Sequence, residues 1–135
     1  MILAYQKSID TTRSVELRLP MVDGRPVGTE LATIDGTTYV YVPDGVAPPK
    51  QPSEIAPQPV TLTPALTTAI RAASPHVRLI NQRVVARIRE KYDLNDELKM
   101  LRLGALAGAD YDDYKIWCEA CRTWGREERA KIGLP

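Results

Sequence analysis

The chain has no phenylalanine among its 135 residues, two cysteines and a single histidine. With Phe absent, two Trp and six Tyr supply every aromatic ring. Cys118 and Cys121 are too few and too close for a disulfide framework, and they point to a reducing site of synthesis. No apolar run approaches the roughly 18 residues that would span a bilayer, so no membrane insertion is expected. The start, Met1-Ile2-Leu3-Ala4-Tyr5-Gln6-Lys7, has neither a basic segment nor a sustained apolar core, which predicts no secretory signal. A surplus of either charge is also missing, with 18 basic against 17 acidic residues. A general attraction to nucleic acid or to an anionic membrane is therefore not expected. No glycine spacing makes a phosphate loop, and no nucleophile, base and oxyanion donor fall into a recognisable frame. The expectation is a protein that is not an enzyme and carries no cofactor.

What the chain has in abundance is proline. Seven of its 11 prolines lie between Pro43 and Pro64: Pro43, Pro48, Pro49, Pro52, Pro57, Pro59 and Pro64. Proline fixes φ, lacks an N–H and pushes the preceding residue toward extended geometry. Such a run belongs in neither a helix interior nor a sheet interior, and it reads as a semi-rigid extended spacer. Three parts follow: a β-strand docking module over 1–42, a Pro-rich extended linker over 43–64 and a helical module over 65–135. The first part sits near the roughly 40-residue limit below which a lone chain seldom folds, so it is expected to use a partner's surface.

Apolar residues before the linker alternate with period two. Ile2–Tyr5 is a short strand, expected at a sheet edge. Val15, Leu17 and Leu19 share one face of a strand, with Glu16 and Arg18 on the other. Asp23-Gly24 marks a turn, and Val27–Ile34 is a further strand. Asp35-Gly36 stands between β-prone runs ending in Tyr39-Val40-Tyr41-Val42, a strong hairpin signal. The fold class is α+β, with a small N-terminal antiparallel β-meander. After the linker the period changes. Thr63-Pro64 and Ser74-Pro75 each pair an N-cap residue with proline at the first helical position. Val77, Ile80, Val84 and Ile88 make a helix to about Tyr92, and Asp93 either breaks it or lies within it. Leu94, Leu98 and Leu101 continue an apolar stripe up to Gly104. A last helix begins near Asp110 and presents Tyr114, Trp117, Cys118, Cys121 and Trp124. The expected result is a C-terminal α-helical hairpin in which Trp117 and Trp124 pack on Leu94, Leu98 and Leu101.

Three patterns invite chemistry. Cys118-Glu119-Ala120-Cys121 is a C-x-x-C, but a redox pair wants a helix N-terminus, and about two turns precede Cys118. A zinc site wants four ligands, and only His76 could join the two thiols, so no metal site is expected and the cysteines read as core. Arg78, Arg83, Arg87, Arg89 and Lys91 make the helix over 77–91 basic, and Arg71 precedes it. They are spread around the helix and no aromatic platform interleaves with them, so nucleic acid is disfavoured. A solvated face or contact with an acidic partner protein fits better. Val15, Leu17, Leu19, Tyr39, Tyr41, Trp117 and Trp124 are the candidate partner-binding residues, as apolar anchors, with internal core as the plainer reading for each.

The stretches Glu30–Gly45, Val84–Arg102 and Tyr111–Gly133 resemble segments of small tailed-bacteriophage proteins from the tail-fibre and baseplate region. The resemblance implies a non-enzymatic role in the virion tail after synthesis in the host cytoplasm, as a structural protein that connects neighbouring subunits. Other phage tail proteins (fibre, baseplate or tail-tip subunits) would be the partners, with homo-oligomers inside the assembly. The alternatives are a tail-fibre assembly chaperone absent from the mature particle, and a nucleic-acid-binding accessory protein using Arg78, Arg83, Arg87 and Arg89.

Overall fold

The two Asp-Gly dipeptides both form tight turns with left-handed backbone at each central residue. Asp23 and Gly24 have φ of 50° and 74°, and Asp35 and Gly36 have 49° and 81°. That is the geometry whose twist matches antiparallel strands. The computed structural model describes all 135 residues. Its strands are β1 (Ile2–Gln6), β2 (Met21–Val22), β3 (Arg25–Pro26), β4 (Thr29–Ile34), β5 (Thr37–Tyr41) and β6 (Gln58–Val60). Its helices are α1 (Pro64–Ala73), α2 (Pro75–Arg89), α3 (Leu94–Leu103) and α4 (Ala109–Lys131), with a 3-10 turn at Gly104–Ala107. The fold is α+β: an antiparallel sheet near the N-terminus and four helices, mostly C-terminal. No helix is long and apolar enough to cross a membrane.

The chain divides into two compact units. Unit 1 comprises Met1–Arg78 and Ala130–Pro135, and unit 2 comprises Leu79–Arg129. This differs from the division expected at 43–64, because the Pro-rich segment is part of unit 1 and not a spacer. Its end forms β6, which pairs with β1. The sheet order is β4-β5-β1-β6, so β1 is interior and a proline-bearing strand takes the edge. An edge is where a missing N–H costs least.

Period-two alternation gives the sheet two apolar faces, both covered by unit 1 itself. One face carries Ile2, Leu31 and Ala32, with Tyr39, Tyr41 and Val60 beside them. Ile70 of α1, Val77 of α2, Ile132 and Leu134 cover it. The strand register shifts between Glu30 and Ala32, so Leu31 and Ala32 both turn inward. The opposite face carries Leu3, Tyr5, Val40 and Val42, covered by Val15, Leu17, Leu19 and Ile55.

The 15–19 segment alternates as expected but forms no strand. Its backbone is satisfied largely by side chains. The Leu17 N–H donates to the Tyr5 hydroxyl at 3.2 Å, and the Arg18 N–H donates to Gln51 Oε1 at 2.8 Å. Gln51 Nε2 donates in return to the Arg18 carbonyl at 2.9 Å and to the Pro49 carbonyl at 2.8 Å. Proline-rich backbone has few N–H groups to offer, so a glutamine amide joins the two extended segments instead.

In unit 2, α2 and α4 pack around Ile88, Tyr114, Cys118 and Cys121. The open question over the first long helix is settled: α2 ends at Arg89, and Asp93 caps a separate helix, α3. Its side chain accepts from the Asp96 N–H at 2.8 Å, while Asp96 accepts from the Asp93 N–H at 3.2 Å. This is a reciprocal capping box.

Candidate protein-docking surface

Helix α3 is ten residues long, too short to persist in water without tertiary support. That support comes from one side only. Met100 packs against the Ile88–Tyr114–Cys118–Cys121 cluster. The Tyr114 hydroxyl donates to Glu97 at 2.8 Å, and Arg89 pairs with the same carboxylate. Burial, then the Glu97 carboxylate and the Cys118 thiol, push the Tyr114 phenol well above its ordinary value.

The apolar stripe of α3 points elsewhere. Leu94, Leu98 and Leu101 are 58, 57 and 65% exposed, and no residue of α3 is buried. Spacing of four and then three places these leucines on one face. Leu106, in the 3-10 turn after α3, is 89% exposed. The stripe was visible in the sequence, but its direction was not. Trp117 packs against the Ile88–Tyr114–Cys118–Cys121 cluster and Trp124 lies under Arg87, so the expected burial of these leucines beneath the two tryptophans is replaced by a stripe more than half exposed.

The two tryptophans are covered by basic residues at and just beyond the end of α2. Trp117 Nε1 donates to the Arg87 carbonyl at 3.2 Å, and Lys91 Nζ lies 5.3 Å from its ring centre. The Arg87 guanidinium sits 4.1 Å over Trp124. Each contact is a cation–π pair, worth about 0.5–1 kcal/mol at an exposed site. Arg87, Lys91 and the Glu97-bound Arg89 are thus engaged within unit 2, while Arg83 stays exposed there. In unit 1, Arg71, Arg78 and His76 are exposed.

The remaining candidate anchors serve internal packing in unit 1. Leu17 is buried, and Val15 and Leu19 pack beside it. Tyr39 and Tyr41 are half-buried against the Ile2–Leu31–Ile70 cluster. The sheet faces that would have docked on a partner are already occupied, one by the 15–19 segment with Ile55 and the other by Ile70, Val77, Ile132 and Leu134. Trp117 and Trp124 likewise stay within unit 2. All seven thus make contacts inside their own unit, the plainer of the two readings for each, while the leucine stripe of α3 is an apolar row left exposed in unit 2.

Both cysteines are buried free thiols on the inner side of α4. Burial, with the neighbouring Cys118 adding to it, raises the Cys121 thiol above its ordinary value, the opposite of what a nucleophilic thiolate needs. No three His, Cys, Asp or Glu side chains converge in a way that could hold a metal ion.

No protein-family model, curated protein or solved structure matches this chain.

Proposed function

We propose that the chain is a non-enzymatic structural protein of a bacteriophage tail, in the tail-tip, baseplate or fibre region, and that it binds a neighbouring subunit through α3. The observation that carries the reading is the leucine stripe Leu94–Leu98–Leu101, held in place by a capped helix yet left more than half exposed. Fully burying one leucine is worth about 1.5–3 kcal/mol, so three together can hold a subunit in an assembly. The pattern resemblance of Glu30–Gly45, Val84–Arg102 and Tyr111–Gly133 to tail-region proteins supplies the setting.

Quantitative mass spectrometry of purified phage particles encoding this chain tests the reading. The expected result is a fixed ratio to known tail subunits. The double substitution Leu98→Ser and Leu101→Ser lowers occupancy about ten-fold, equivalent to roughly 1.4 kcal/mol, while the circular dichroism spectrum of the purified protein is unchanged. Absence of the chain from particles overturns the structural role. If fibre attachment then still depends on the chain, it acts as an assembly factor.

A further inference from the structure

A second surface of unit 2 has a different chemistry. Arg122, Arg126 and Arg129 stand four and then three residues apart along α4, in one row. With Asn81, Val84 and Val85 of α2 they line a groove of about 350 Å³, within the usual range for ligand-sized clefts. Gly125 is what brings the two walls together: a Cβ there would fall 2.5 Å from a Val84 methyl. Arg126 is bonded to Glu119 and, at 2.8 Å, to the Thr123 hydroxyl. Arg129 donates to the side-chain oxygen Oδ1 of Asn81 at 3.4 Å. Arg122 is exposed and makes no ion pair. Val85 is 51% exposed.

We propose that this groove takes an acidic, amphipathic segment of a partner protein, with a carboxylate on Arg122 and an apolar side chain on Val84 and Val85. The charge complement is direct, because a guanidinium presents paired donors that match a carboxylate. The valine floor decides between acidic partners. A phosphodiester backbone would meet the arginines but bury nothing on Val84 and Val85. A helix with glutamates around a leucine meets both. The proposal rests on reading the chain as a protein-binding subunit, and it adds the chemistry of a second contact distinct from α3.

Fluorescence anisotropy on the full-length protein tests it, using a fluorescein-labelled synthetic helix of Glu, Leu and Ala. The same peptide with Gln for each Glu, and a short DNA duplex, are the counter-probes. The expected result is saturable binding of the acidic peptide at ~10–100 μM, weakening with salt, and no binding of the Gln peptide. Arg122→Gln weakens binding about ten-fold. Arg122 is exposed and has no ion pair to lose, so the fold is expected to persist, and an unchanged melting temperature confirms it. Equal affinity of wild type and Arg122→Gln overturns the proposal, as does tighter binding of DNA than of peptide, or the absence of saturable binding. The Leu98→Ser, Leu101→Ser protein is expected to bind the peptide normally. Failure here with particle incorporation intact removes the groove alone, and the reverse pattern removes the α3 contact alone.

Discussion

Gly125 is a helix-interior glycine with a packing reason. Mid-helix glycine costs about 1 kcal/mol relative to alanine, so Gly125→Ala would be stabilising if only propensity mattered. The buried position and the contact with Val84 reverse the sign. Val84 is β-branched and stiff at χ1, so it cannot swing away as a long side chain could. Overpacking of this kind costs about 1–3 kcal/mol. Urea unfolding is expected to show Gly125→Ala less stable than wild type, whereas a gain would mean that α2 and α4 can move apart freely. The sequence around Trp124-Gly125-Arg126 does not announce this contact, because the partner lies about forty residues away and only the crossing geometry brings it close. The Arg87–Trp124 and Lys91–Trp117 pairs were hidden for the same reason. The basic residues of α2 were legible as a group, but their partners were not.

At the scale of elements, local chemistry was the legible part. Thr63 and Ser74 cap the helices they were expected to start, and Asp35-Gly36 turns the hairpin. Each of these signals acts within four residues. The 15–19 segment shows the limit, since its alternation correctly marks an apolar face but cannot say whether its backbone will pair with a strand or with the side chains of Tyr5 and Gln51. Asp93 is the most sensitive local signal. Asp93→Ala removes one acceptor of the box and leaves the Asp96 N–H unpaired, at a cost of about 0.5–2 kcal/mol. Hydrogen exchange is expected to quicken in α3 before it does in α4. A pH effect belongs to the same unit. Burial holds the Tyr114 and Cys121 protons more firmly in the folded state than in the unfolded one. Above pH 9, the ordinary value for a thiol, the unfolded chain releases the Cys121 proton while the folded chain keeps it. The stabilisation is therefore complete below that pH and is lost as pH rises. Above pH 10 the Tyr114 phenol adds to the loss in the same direction. Thermal melts are expected to fall across this alkaline range, and Cys121→Ala should flatten the lower part of the fall.

For the whole molecule, the deciding question is what the Pro-rich segment does, since a free tether and a packed cover give opposite expectations. Composition alone favoured a tether, because proline excludes both helix interior and sheet interior. It does not exclude an extended segment lying on a sheet face, where one buried side chain and a few side-chain hydrogen bonds suffice. Ile55 is that side chain, 7% exposed among Leu3, Tyr5, Val40 and Val42, and Gln51 supplies the bonds. Lys50 lies beside Gln51 and is exposed, so it reports on the segment without being part of the contact. Trypsin must draw several residues around Lys50 into its own cleft, which requires the Gln51 bonds to open. A packed cover therefore predicts slow cleavage at Lys50 in the native protein, at a rate set by opening. Ile55→Ala removes buried apolar volume at a cost of about 2–5 kcal/mol. Where opening is fast relative to cleavage, each 1.4 kcal/mol of that cost raises the open population about ten-fold. Cleavage at Lys50 is then expected to accelerate by more than ten-fold in Ile55→Ala, and less in Gln51→Ala, which loses hydrogen bonds but no core. Native cleavage as fast as in the denatured chain, unchanged by Ile55→Ala, would return the segment to the role of a tether and reopen the face of Leu3 and Val40 to a partner.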